Sequence, residues 1–321
     1  MYVLEFAGED DAFAAAEAAV AASGVERVGP GLAVAASVDA RRFRSLALSR
    51  RAGRVLARCP ADVETAAAAV RDAEVEGTGS VAVRARDVRG SAAVDTQSAE
   101  RAVGAAIVDA GFTVDLDDPD RVLLALFSGE RCVLAWQVAE SERNYGDRKP
   151  TDRPFFQPGS MDPLLARAVV NLARVDPGDR LLDPMCGTGG LLVEGGLLGA
   201  VPVGTDAQVK MIEGTRRNLS AALEGGFHLA RADATRLPFR DGAVDAFVVD
   251  APYGRQSKIA THDLGTLVAG ALDEGRRVAD RGVLVADRSY HVAAEAAGWR
   301  VDGVLERRVH RSLHRYVHLL R

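Results

Sequence analysis

Residues 180–190 read Arg180-Leu-Leu-Asp183-Pro-Met-Cys-Gly187-Thr-Gly189-Gly190, a short apolar strand running through a carboxylate into a glycine-rich turn. A turn of that kind between a strand and a helix brings backbone amides close to a ligand at the carboxyl end of a sheet. Outward from it, from Met161 onwards, the chain alternates strand and helix. VPVGTD (201–206), FHLARAD (227–233), AVDAFVVD (243–250) and GVLVAD (282–287) each precede a helical or loop segment. That rhythm predicts parallel strands joined by crossover helices, a doubly wound sheet. WRVDGVLERRV (299–309) and LHRYVHLLR (313–321) are separated by a short link, so an antiparallel hairpin is expected to finish the sheet.

The residues before 140 have a different texture. YVLEFA (2–7) fits a strand, and Asp11 to Ala22 an alanine-rich helix ended by Gly24. Residues 41–58 are expected to be helical around Phe43, Leu46 and Leu48, and 62–73 form another helix. SVAVRARDV (80–88) alternates with period two, as a half-buried strand does. Thr96 or Ser98 can cap the helix that runs to Ala110, with Gly111 closing it. VLLALF and CVLAWQVA then read as paired strands. Between Glu140 and Pro158 the chain turns polar, with three prolines, which marks a domain boundary.

With 321 residues, the chain can build two cores. It has no apolar run approaching a membrane span and no signal-peptide pattern at its start, so a cytoplasmic protein is expected. Cys59, Cys132 and Cys186 lie far apart along the sequence, with no Cys/His pairing, and suggest neither a metal site nor a disulfide framework. The net charge of −5 does not advertise a nucleic-acid binder. Its distribution is more telling: Arg41 to Arg58 holds seven arginines and no acid.

The candidate site follows the strand ends. Asp183 precedes the glycines, and the run lacks the third glycine of a dinucleotide fingerprint. Such an acid suits the ammonium end of a methionine moiety. Asp206 ends the second strand, where a carboxylate can accept both ribose hydroxyls or simply cap the following helix. Asp233 ends the third, where it can accept from an adenine amino group or hold a turn, with Ala234 lining the pocket. Asp250-Ala251-Pro252-Tyr253 follows the fourth. An exocyclic aromatic amine is a poor nucleophile because its lone pair is conjugated into the ring. Methylating it needs acceptors that orient the N–H bonds and take a proton. Asp250 and the Ala251 carbonyl offer two, Pro252 stiffens the loop, and Tyr253 offers a face for an extruded base.

Together, RPFFQPGSMDPLLARAVVNLARV, DPMCGTGG and DAPYGRQS resemble the archaeal tRNA (guanine-10-N2) methyltransferase family, class I enzymes with an [Asp/Asn]-Pro-Pro-Tyr signature. GSVAVRARDV, the helix with Gly104 and GFTVDLDDPD resemble a THUMP domain, an RNA-binding module. The resemblance implies an α/β chain: an N-terminal α+β THUMP-type region, then a Rossmann-like class I methyltransferase domain with a C-terminal antiparallel hairpin. It implies a ferredoxin-like domain over 1–50, THUMP over 51–140, a linker over 141–155 and the methyltransferase domain over 156–321. S-adenosyl-L-methionine is the implied cofactor and tRNA the partner, with no metal, no membrane and a monomeric enzyme. Cofactor residues carried over by motif are Asp183, Gly187, Gly189, Asp206 and Asp233, with Phe156 and Pro158 before the first helix closing over the methionine end. The catalytic signature falls on Asp250, Ala251, Pro252 and Tyr253. Ala251 stands where the family usually has proline, and Gln157 where histidine is common.

Phosphate contacts are expected from Arg41, Arg42, Arg44, Arg50, Arg51 and Arg54 in the arginine run, although such a run also serves as a solvated face. Arg84 and Arg86 on the THUMP-like strand are comparable, and Arg255 and Lys258 follow the catalytic loop. His310, His314 and His318 read as surface residues, and Trp136 and Trp299 as packing residues. Another guanine of tRNA or of ribosomal RNA is an alternative target. Similar loops methylate DNA adenine N6 or protein glutamine, and a methyltransferase fold can also survive as a non-catalytic RNA binder. The THUMP-like half argues against the DNA and protein substrates, and intact Asp183, Asp206 and Asp250 against the non-catalytic binder.

Overall fold

The computed structural model describes all residues but 74, 76, 253–262 and 311–312. It divides into two compact units, Met1–Glu142 and Arg143–Arg321.

The first unit contains β1 (Tyr2–Phe6), α1 (Asp11–Ala18), β2 (Ala22–Ser23), β3 (Glu26–Gly29), β4 (Leu32–Ala35), β5 (Ser37–Val38), α2 (Ala40–Phe43) and β6 (Ser49–Pro60). It continues with α3 (Val63–Asp72), β7 (Ser80–Asp87), α4 (Thr96–Asp109), β8 (Thr113–Val114), β9 (Arg121–Ser128) and β10 (Arg131–Glu140). Among the described residues one mixed sheet runs β3-β4-β1-β6-β10-β9-β7-β8, with β2 and β5 paired separately. The long strand β6 joins the two halves of this sheet, pairing with β1 on one side and β10 on the other. Its register sets Cys59 opposite Cys132 despite their separation in sequence.

Here the structure corrects the helix expected over 41–58. Only Ala40–Phe43 is helical, and 49–60 is a strand. The buried Glu17 carboxylate accepts the amides of Ala47 and Leu48, both at 2.7 Å, so these groups need no helical partners. Gly53 then lets β10 approach closely, because a Cβ there would stand 2.7 Å from that of Ala135. At α4 the cap is Asp95, not Thr96 or Ser98; its carboxylate takes the Gln97 amide and the Ser98 hydroxyl.

The second unit contains α5 (Pro163–Leu172), β11 (Arg180–Asp183), α6 (Gly190–Leu197), β12 (Val201–Asp206), α7 (Val209–Ala222) and β13 (His228–Arg231). Then come β14 (Ala246–Asp250), α8 (Leu264–Val278), β15 (Gly282–Ala286), α9 (His291–Ala296), β16 (Val301–His310) and β17 (Leu313–Leu320). The sheet runs β13-β12-β11-β14-β15-β17-β16. Its first five members are parallel, whereas β17 is inserted antiparallel between β15 and β16. The order reverses between β11 and β14, the switch point at which open α/β sheets bind ligands. Apolar side chains of β14 and β15 pack under α8, with Phe247 stacked on Trp299 at 6.1 Å between centroids. Trp299 donates its indole N–H to the Leu272 carbonyl, which satisfies that group inside the core.

Candidate active site

The turn after β11 is built by backbone conformation and held by buried polar side chains. Gly187 and Gly189 have φ of 51° and 78°, the left-handed region that a Cβ disfavours. A Cβ at Gly189 would also lie 2.8 Å from the Thr215 methyl. Thr215, on α7, donates its hydroxyl to the Gly187 carbonyl at 2.7 Å, and Thr205, on β12, donates to that of Pro184 at 3.1 Å. Asn218 donates to the carbonyls of Thr188 and Phe155, both at 2.8 Å, and accepts the Phe155 amide. Ser160 Oγ stands 3.0 Å from Thr188 Oγ1. The stretch 155–160 is thereby fastened to the glycine turn.

Three carboxylates end three adjacent parallel strands, β12, β11 and β14. Asp206 accepts the Gln208 amide at 2.8 Å, just before α7, and with its other oxygen the Gly187 amide at 3.1 Å. The residue at the N-terminus of α7 is Gln208, with no side-chain cap, so Asp206 braces the glycine turn rather than capping the helix. Asp183 is buried and accepts the Met185 amide at 3.1 Å. Burial drives its carboxyl well above the ordinary range, and the charges of Asp250 and Asp206 add to that rise. Burial also raises Asp206. Asp250 is pushed up to about 6 by burial, partly opposed by the Arg315 guanidinium of β17, 3.7 Å away. Its Oδ1 is buried with no hydrogen-bond partner among the described residues, and the next residue, Ala251, donates its amide to the Val285 carbonyl at 2.8 Å. The neighbouring charges thus bear on Asp183, whereas burial accounts for the rise of Asp206 and Asp250.

Other expected residues are placed differently. Asp233 lies two residues beyond β13 rather than at its end, is exposed, and accepts the amide and hydroxyl of Thr235 at 2.9 and 2.8 Å. Phe156 and Pro158 are exposed on the segment that Phe155 and Ser160 fasten to the turn. Pro252 follows Ala251, but Tyr253, Arg255 and Lys258 lie outside the described residues. His318 corrects the surface expectation: it is fully buried, accepting the Tyr290 amide at 2.9 Å, and burial lowers its proton affinity.

In the first unit, Arg44 and Arg54 line one groove of about 930 Å³ with Arg121 and Trp136. The Arg121 guanidinium lies 3.7 Å from the Trp136 ring centre. Arg51 and Arg86 are instead engaged by the buried Glu5, at 3.8 and 3.3 Å, and Arg84 donates to the Leu116 carbonyl. Arg42 stands 3.8 Å from Asp39, Arg41 is exposed on α2, and Arg50 is on β6. Thr205, Thr215, Asn218 and Arg315 escaped the sequence reading, because what they touch depends on tertiary register. Among the described residues no helix is long and apolar enough to cross a membrane.

A family model described as UPF0020, the RMKL-like methyltransferase domain, matches residues 150–316. A tRNA (guanine(10)-N2)-dimethyltransferase of Methanothermobacter thermautotrophicus is 38% identical over 75% of this chain and 73% of its own. Its namesake in Pyrococcus abyssi is 32% identical over 75% of this chain and 74% of its own. The solved structure of TrmN from Thermus thermophilus superposes with a TM-score of 0.50 at 24% identity, over 100% of this chain and 99% of that one, a likeness of fold. Since both relatives align along three quarters of this chain, the chain belongs to the tRNA (guanine-10-N2) methyltransferase family.

Proposed function

We propose that this protein methylates the exocyclic N2 of guanosine 10 in tRNA, once or twice, with S-adenosyl-L-methionine as donor. The observation that carries the reading is the Asp250 carboxylate. It stands at the switch point with one oxygen buried and lacking a hydrogen-bond partner among the described residues, and it adjoins the peptide of Ala251. The pocket fits the cofactor: a bound cation would favour the ionised form of acids that burial disfavours, and left-handed glycines keep the turn free of side chains. S-adenosyl-L-methionine, when bound, supplies a methyl group activated by a positive sulfur. Asp183 is assigned to the amino-acid end, Asp206 to the ribose hydroxyls, and Asp233 and Ala234 to the adenine side. Phe156 and Pro158 cover the methionine end.

Asp250 accepts one N–H of the target amine and the Ala251 carbonyl the other, which turns the nitrogen lone pair toward the methyl group. Transfer would break the sulfur–methyl bond and release S-adenosylhomocysteine, and Asp250 is the group placed to take the proton that the amine loses. Rate comes mainly from this in-line positioning. Tyr253 is assigned to stack on the extruded base, offsetting an unstacking cost of a few kcal/mol.

The N-terminal unit is read as the tRNA-holding part, ferredoxin-like over 1–50 and THUMP-type over 51–140. The groove with Arg44, Arg54, Arg121 and Trp136 supports this, since cations beside an aromatic ring suit a nucleic-acid strand. Mass spectrometry of nucleosides from a tRNA transcript incubated with the enzyme should detect N2-methylguanosine or its dimethyl form. A transcript with adenine at position 10 should accept none. Undiminished methylation of that transcript would overturn the position, and methyl on N1, on N7 or on adenine N6 would overturn the chemistry.

A further inference from the structure

Asp250 has a neighbour that the catalytic signature does not contain. In the sheet register Asp250 pairs with Val285 of β15, and Val285 with Val317 of β17. Paired residues point to one face, and so does the residue two positions along the same strand. Arg315 thus shares the face of Val317 and Asp250, displaced toward the carboxyl ends of β14 and β15. From there its long side chain reaches across β15 to bring Nη1 to 3.7 Å from Asp250 Oδ2. Both groups are shielded, with side-chain exposures of 7% for the arginine and 20% for the aspartate. That distance is an ion pair but exceeds a hydrogen bond. The cation therefore favours the anion without using up the lone pairs that an incoming amine needs.

We propose that Arg315 is a positioning residue of the methyl-transfer site: its fixed charge keeps the Asp250 carboxylate ionised and aimed before the target base arrives. The assignment rests on the proposed function for its catalytic meaning, but the coupling itself is testable without any substrate. Among the described residues, no other cation faces this point, and the neighbouring acids work against it. Asp183 of β11 repels Asp250, with Asp206 of β12 beyond it. His318 of β17 points its ring to the Leu284 carbonyl and the Tyr290 amide, and β15 presents Val285. Burial alone already drives Asp250 upward, and among the described residues Arg315 is the cation that opposes that rise.

The experiment follows the Asp250 carboxyl by carbon-13 NMR in the full-length protein, its signal identified by loss in Asp250→Asn. In wild type it should titrate near 6. In Arg315→Met it should move up by about 1–3 pH units, the usual effect of an opposite charge at this range, and in Arg315→Lys it should stay near the wild-type value. The acid limb of turnover on saturating tRNA should move by the same amount, while S-adenosylhomocysteine affinity stays within about twofold of wild type. An unmoved carboxyl titration in folded Arg315→Met overturns the assignment, as does an Arg315→Lys variant that shifts as far as the methionine one. Arg315→Gln replaces the methionine variant if that one does not fold. If neither neutral variant folds, a wild-type carboxyl titrating above about 7.5 overturns it, and one near 6 supports it. Absence of methyl transfer by wild type at every pH would count against the proposed function, leaving the carboxyl titration to judge Arg315.

Discussion

Gly189→Ala probes the turn on which the site is built. Two costs add. A non-glycine residue held at φ of 78° loses about 1–2 kcal/mol to the left-handed conformation. The new methyl must also displace the Thr215 methyl, 2.8 Å from its ideal position, and overpacking of this kind costs about 1–3 kcal/mol. Alanine stiffens the unfolded chain and returns roughly 0.4–1 kcal/mol, so the net destabilisation should be about 2–4 kcal/mol. Thr215→Ser separates the two contributions, because serine keeps the hydroxyl that bonds the Gly187 carbonyl and drops the methyl. In the wild-type background it should cost about 1 kcal/mol for lost burial; in the Gly189→Ala background it should be neutral or stabilising. Urea unfolding in a Trp136→Phe background leaves Trp299, in the same unit, as the fluorescent reporter. Additive effects of the two substitutions, or an alanine variant within about 0.5 kcal/mol of wild type, would refute the close-approach reasoning.

Asp206→Ala should weaken S-adenosylhomocysteine by roughly ten- to a hundredfold in calorimetry, since one charge-assisted contact is worth about 1.5–3 kcal/mol. Glu194→Ala strands Arg148 and Arg167, which the fully buried carboxylate holds at 2.8 and 2.9 Å, and should destabilise the protein by about 3–5 kcal/mol in urea unfolding. Asp250 has its carboxyl raised on folding from 3.8 to about 6, so its contribution to stability falls as pH rises through that window and is level above it. Asp250→Asn should therefore gain on wild type by up to about 3 kcal/mol between pH 4 and 6.5, and a pH-independent difference would contradict the burial. Arg44→Ala with Arg54→Ala should weaken tRNA binding and lower its logarithmic salt slope by about two, if both contact phosphate. An unchanged slope would remove the groove from the interface.

The second unit is legible because its signals are local. A glycine turn, the acids that end β11, β12 and β14, and the alternation of strand and helix all survive in one dimension. The helix expected over 41–58 fails because Phe43, Leu46 and Leu48 mimic a helical stripe, while Glu17, some thirty residues earlier in the sequence, supplies the hydrogen bonds that release the backbone there. His318 looks like a surface residue because it follows His314 and Arg315 on a terminal hairpin and no acid or cysteine pattern joins it; only the register of β17 shows it buried. Thr215 and Asn218 look like ordinary polar residues of an amphipathic helix. Their role in clamping the turn exists only once α7 is laid against it.

The insertion of β17 between β15 and β16 also bears on how the protein is made. On the ribosome β17 emerges after every other strand of its sheet, yet it occupies an interior place, bonded on both sides. Until it arrives, β15 is an open edge of buried-type residues, Gly282 to Ala286, available for wrong pairing. The strand that closes this edge is also the one that delivers Arg315 to Asp250. A nascent chain thus holds its glycine turn and its carboxylates well before the aspartate acquires its counter-charge, and completing the sheet completes the site.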